Sequence, residues 1–161
     1  VDVSGRTAYL VRHAHAGDRS SWPGDDSRRP LSEKGWRQAH GIAELLRDAP
    51  LRRVLSSPAV RCVQTVEPLA TAHGLHVEIE PSLREGADPH DTLAVLHAMA
   101  ADGAVAGCTH GDVIPGVLDL LGDAGAEVEG PLTWPKASTW VLEGDERGFT
   151  RARYVPPPAL G

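Results

Sequence analysis

Short apolar runs and helix-like stretches alternate along this chain. The runs TAYLVRH (7–13), RRVLSS (52–57), HVEIEP (76–81) and GAVAGCTH (103–110) are bounded by turn residues, as buried strands are. After the first comes a polar, turn-rich loop, SWPGDDSRRP (21–30). Ser32 then caps a helix predicted over 33–48, with Trp36, Ala39, Ala43 and Leu46 on one face. After the second run, Ser57 and Pro58 read as the cap and first residue of another helix. Pro68 removes a hydrogen bond from that helix and predicts a kink or an early end. The loop LREGADPHD leads into a helix predicted over 91–101, and GDVIPGVLDLLG (111–122) opens a further one with Pro115 in its first turn. The Gly/Pro/acid-rich stretch 123–137 reads as loop. STWVLEGD and FTRARYV read as a closing pair of strands, and PPPALG as a tail.

Strand–helix alternation implies an α/β fold with three layers, α-β-α, around a mostly parallel central sheet. At 161 residues, with no clean linker and no internal repeat, residues 1–161 read as a single domain. Aromatic residues are only 4% of the chain, so the core is expected to consist of Val, Leu, Ile and Ala. No apolar run approaches the roughly 20 residues of a membrane span. Two cysteines without a CxxC spacing suggest neither a disulfide framework nor a zinc ribbon, and a reducing, cytoplasmic setting is the expectation. The net charge of -6 argues against nucleic acid or an acidic membrane as partner.

In an open α/β sheet, ligands bind beyond the carboxyl ends of the strands. Three predicted strands deliver unusual residues there. The first ends in Arg12 and His13; the fourth ends in Thr109 and His110; the second leads into a helix whose first turn carries Arg61. A cation in a first helical turn opposes the helix dipole, at about 0.3–1 kcal/mol, unless an anion sits nearby. Two arginines, two histidines and a helix start at one edge suit a phosphoryl dianion. Histidine supplies a nucleophilic nitrogen, and arginines grip phosphate oxygens bidentately. The leaving oxygen needs a proton. Glu85 is the first candidate donor, with Asp112 and Asp18 as rivals.

The motifs VRHA (11–14), SSPAVRCVQT (56–65), LRE (83–85) and THGDVI (109–114) resemble the histidine phosphatase superfamily, with its phosphoglycerate-mutase-like fold. The resemblance implies that His13 becomes phosphorylated and that Arg12, Arg61 and His110 bind the phosphoryl group, with no metal and no cofactor. RRPLSEKG (28–35) and the short length resemble the SixA-type branch. PKASTWVLEGD together with THGDVIP resembles the phosphatase-like half of actinobacterial MutT-type Nudix hydrolases, where a Nudix domain stands upstream. His15 departs from the family, in which many members carry Glu or Thr.

The expected activity is therefore metal-independent hydrolysis of a phosphomonoester or a protein phosphohistidine, on a phosphorylated small molecule or phosphoprotein. A binding module without turnover and a phosphomutase are the alternatives. Other features have plainer readings. HAH (13–15) lacks compactly spaced metal-ligand partners. Trp22, Trp134 and Trp140 read as packing residues, and Cys62 as a small helix-packing residue. WPGDD (22–26) suits either an ordinary turn or a pocket rim.

Overall fold

A computed structural model describes residues 5–160. Seven strands form one sheet: β1 (Arg6–Arg12), β2 (Leu51–Ser56), β3 (Val77–Ile79), β4 (Ala104–Thr109), β5 (Glu127–Glu129), β6 (Thr139–Asp145) and β7 (Gly148–Val155). Their order is β3-β2-β4-β1-β6-β7-β5. β1, β2, β3 and β4 pair in parallel, β6 is antiparallel to both β1 and β7, and β5 pairs in parallel with β7. The helices are α1 (Glu33–Leu45), α2 (Val60–Ala72), α3 (Pro89–Met99) and α4 (Ile114–Asp123).

Alternation along the strands divides the core. Val11, Val54 and Cys108 face α1 and α2, packing with Ala39, Ile42, Val66 and Leu69. Leu10, Leu55 and Val105 face the other way, against Leu96 of α3, Val117 and Leu121 of α4, and Trp140. The three-layer α/β arrangement expected from the alternation is thus present. Trp140 is fully buried, with its indole N–H donated to the Thr133 carbonyl, so it is a packing residue as expected. Among the described residues, no helix is long and apolar enough to cross a membrane.

Three local expectations are corrected. Ser57 is not a helix cap: α2 begins at Val60, and its N-cap, Ala59, makes no side-chain capping bond. Of the two outcomes expected at Pro68, the early end does not occur, because α2 runs on to Ala72. The flanking Val66, Leu69 and Ala70 are buried, and their packing outweighs one lost backbone bond. The stretch 123–137 is not all loop, because Glu127–Glu129 adds the edge strand β5 alongside β7.

The parallel strands bring their carboxyl ends to one edge. Arg12 pairs with Thr109 and Ser56 with Cys108. The ladders continue one residue past the strands: His13 N–H donates to the Thr109 carbonyl at 3.1 Å, and Ser57 N–H to the Cys108 carbonyl at 3.0 Å. His13, Ser57 and His110 are therefore neighbours by register.

Candidate active site

A cavity of about 640 Å³ opens at this edge. It is lined by Arg12, His13, Arg61 and His110, together with all three candidate acids, Asp18, Glu85 and Asp112. His15, Arg19, Arg29, Trp134 and Lys136 also line it. The start of α2 contributes the Arg61 side chain to this lining.

His13 is buried, and its Nδ1 lies 2.9 Å from the Ala14 carbonyl. A carbonyl only accepts, so Nδ1 carries the proton and Nε2 keeps its lone pair. Burial, then the charges of Arg61, His110 and Arg12, push the His13 pKa down to about 3, against the pull of the Ala14 hydrogen bond. The ring is therefore neutral at physiological pH, with Nε2 in nucleophilic form. The His110 ring stands 5.5 Å away, edge-on.

Helix side chains hold the loop that follows His13. Thr65 Oγ1 accepts the Ala14 N–H at 2.9 Å and donates to the Arg61 carbonyl at 2.6 Å. Gln38 Oε1 accepts the His15 N–H, and Gln64 Oε1 accepts the Leu31 N–H. The Gln64–Thr65 pair of the SPxxRxxQT motif is thus a clamp on the loops around His13. Gly35 lets α1 approach: a Cβ there would lie 1.9 Å from the His15 carbonyl oxygen. Gly111 does the same for Arg12, whose Cζ would be 2.7 Å from an added Cβ.

The two arginines are held differently. Arg12 donates from Nη1 to the Trp134 carbonyl at 2.8 Å and makes no ion pair among the described residues. Arg61 is 1% exposed; it donates to the Asp26 carbonyl at 2.8 Å and pairs with the Asp26 carboxylate at 3.2 Å and Glu85 at 3.6 Å. In both guanidiniums Nε is buried without a partner. Unspent donors of this kind are what an incoming oxyanion takes up.

Asp26 is a site residue that sequence reasoning left undecided within WPGDD. Its carboxylate gathers Arg19, Arg29 and Arg61. Those hydrogen bonds and charges hold its pKa below the usual range, against the opposing effect of burial. Glu85 sits across from it, bonded to Arg19 Nη2 at 2.9 Å, and that bond is the main reason its pKa is also lowered. The Glu85 loop is tied down twice: Thr109 Oγ1 donates to the Leu83 carbonyl at 2.7 Å, and Gly86 N–H donates to Asp112 at 2.8 Å. Asp112 is thus engaged as an acceptor. Asp18 accepts the Ser20 N–H and lies at the exposed mouth.

Ser57, Lys136 and the turn at 135–138 were not anticipated as parts of the site. Ser57 Oγ is 2.8 Å from His110 Nε2. Ala137 adopts φ +68°, an unusual conformation for a residue with a Cβ, and donates its N–H to the carbonyls of Arg12 and His13. That turn fastens the entry to β6 onto the end of β1. Trp134 serves the pocket through its wall and its carbonyl, so the packing role expected for it is only part of the picture.

The model of the histidine phosphatase superfamily, branch 1, matches residues 8–88. This chain belongs to the histidine phosphatase superfamily. It is 35% identical over 161 residues to a protein of Mycolicibacterium smegmatis named 8-oxo-(d)GTP phosphatase, covering 97% of this chain and 50% of that protein. It is 38% identical over 81 residues to a Yersinia pestis protein described as the phosphoglycerate mutase GpmB, covering 48% of this chain and 36% of that one. The chain thus spans half or less of the length of these curated relatives. Among solved structures, a protein described as the phosphohistidine phosphatase SixA of Agrobacterium tumefaciens aligns with a TM-score of 0.70 at 28% identity, over 96% of this chain and 98% of that one. The protein histidine phosphatase SixA complexed with tungstate shares the fold, with a TM-score of 0.75 at 22% identity over 95% and 96% of the two chains. The superfamily's motifs in this chain are the residues that converge on the cavity.

Proposed function

We propose that this histidine phosphatase domain hydrolyses phosphomonoesters or protein phosphohistidine through a phosphohistidine intermediate on His13, without a metal ion. The supporting observation is the His13 tautomer: Nδ1 is committed to the Ala14 carbonyl, leaving Nε2 unprotonated beside two cationic guanidiniums. In the first step Nε2 attacks phosphorus in line, the P–N bond forms and the bond to the leaving group breaks. Arg12, Arg61 and His110 stabilise the charge on the equatorial oxygens, as phosphoryl transfer requires. A proton passes from an acid to the leaving atom. In the second step water attacks phosphohistidine, gives a proton back to that acid, and inorganic phosphate departs.

Glu85 is the proposed acid. In the free protein Arg19 holds it ionised. A bound phosphoryl dianion competes for the same cations and raises the cost of the Glu85 charge, which favours its protonation. Only residues 80–88 join β3 to α3, so no long insertion there covers the cavity. Access for water and for a bulky phosphoprotein favours hydrolysis over intramolecular mutase transfer. The relatives' names point to three substrate classes: nucleotides, phosphoglycerate and phosphohistidine. The two cysteines, both buried and free, fit a reducing, cytoplasmic setting.

The test is phosphate release from p-nitrophenyl phosphate with chelator present, wild type against His13→Ala. Turnover by the wild type and none by the variant is the expected result. Equal rates would remove His13 as the nucleophile, and no rate from a folded wild-type protein that still binds phosphate would replace hydrolysis with a binding role.

A further inference from the structure

The cavity is larger and more cationic than one phosphoryl group needs. Its lining carries five cationic side chains (Arg12, Arg19, Arg29, Arg61 and Lys136) against three carboxylates, with Asp26 as a fourth paired to Arg19, Arg29 and Arg61, an excess of one positive charge in a chain of net charge -6. The phosphoryl-binding set uses Arg12, Arg61 and His110. Arg19 and Arg29 are neutralised in part by Asp26 and Glu85. Lys136 has no such role: it makes no ion pair within 4 Å among the described residues.

Its placement is not that of a surface lysine free to wander. Pro135 before it accepts from both the N–H and the hydroxyl of Ser138, at 3.0 and 2.6 Å. Ala137 after it is held in the left-handed region by bonds to the Arg12 and His13 carbonyls. The backbone of Lys136 is thus fixed to the strand end that carries the nucleophile. The charges of Arg12, Arg29 and Arg61 reach it there, and together with burial they lower its pKa. A half-shielded cation kept among other cations, with Asp18 opposing, is unfavourable in the empty protein and favourable once anionic groups arrive.

We infer that Lys136 forms a second anion subsite, so that the preferred substrate carries another anionic group beside the phosphoryl that is transferred. Lys136 lines the same cavity as His13. The inference rests on the phosphoryl site proposed above and extends it to a substrate class: phosphoanhydrides, or phosphates with a neighbouring carboxylate. Lys136 acts in it as a specificity residue, touching the part of the substrate that does not react.

The experiment measures binding, so that loss of turnover does not obscure it. Titration calorimetry on His13→Gln, which stops turnover, compares inorganic phosphate, pyrophosphate and phosphoglycolate. Pyrophosphate is expected to bind about tenfold tighter than phosphate, a typical gain for one added charge contact. Adding Lys136→Met should bring the two within about threefold, and Lys136→Arg should keep the preference. Phosphoglycolate binding as tightly as pyrophosphate extends the subsite to carboxylates; phosphoglycolate binding like phosphate restricts it to phosphoanhydrides. Pyrophosphate and phosphate binding alike, or a Lys136→Met variant that weakens every ligand equally, would overturn the subsite. Preference retained in a protein that turns over nothing would overturn hydrolysis and leave the subsite standing.

Discussion

The Ser57 hydroxyl and His110 Nε2 lie 2.8 Å apart in a wholly buried contact. Ser57 Oγ also accepts the Ala59 N–H at 3.3 Å, which ties the hydroxyl to the start of α2. The contact with Nε2 sets the orientation in which the His110 ring faces the cavity. Ser57→Ala removes that constraint while leaving all of the proposed phosphoryl-binding side chains in place. The expected result is a loss of about tenfold in kcat with KM near the wild-type value, read with p-nitrophenyl phosphate. An equal rise in KM with kcat preserved would assign Ser57 to ground-state binding instead.

Glu85 makes a leaving-group prediction. p-Nitrophenolate departs without needing a proton, whereas an alkoxide does not. Glu85→Gln should therefore lower turnover of an alkyl phosphate by about 10²-fold, yet change that of p-nitrophenyl phosphate by only about threefold. If alkyl phosphate turnover survives, Glu85 is not the donor. Asp112→Asn is then the next variant to measure.

His13 also links stability to pH. Its folded pKa of about 3 lies below the unfolded histidine value of about 6.5. The unfolded chain therefore binds a proton that the native ring refuses. The contribution is fully present above pH 6.5 and is lost as pH falls from there toward 3. Urea midpoints measured from pH 7 to pH 4 should fall less steeply for His13→Gln than for the wild type. Parallel slopes would show that the native ring is protonated in this range.

Gly35→Ala tests the close approach of α1 to the loop that follows His13. The His15 carbonyl accepts from both the N–H and the hydroxyl of Ser32, at 3.0 and 3.1 Å, so it has little freedom to retreat. A methyl placed 1.9 Å from that oxygen should destabilise the fold by about 3 kcal/mol or more. Thermal unfolding measures it; an unchanged midpoint would mean that the helix shifts freely.

Sequence was informative where a residue clashed with its own surroundings. Arg12 and His13 stand out because charge follows an apolar run, and Arg61 because it opposes its helix dipole. Ser57 was misread because a serine before a proline is a local capping signal, while its actual partner, His110, is remote in sequence. The strand Glu127–Glu129 is three residues long with two acids, and only pairing with β7 makes it a strand. Asp26 and Lys136 owe their positions to contacts with distant arginines and with the end of β1. An alanine at positive φ gives no cue in the sequence, since nothing about the residue type announces the turn.

The central place of β1 has a consequence for synthesis. Its sheet neighbours are β4 and β6, and the Ala137 turn closes over its end. A ribosome-bound chain that has reached residue 88, where the family match ends, already owns His13 but neither of the strands that flank it. His13 is therefore among the first residues of the site to be translated, yet the strands that flank it, β4 and β6, come later in the chain.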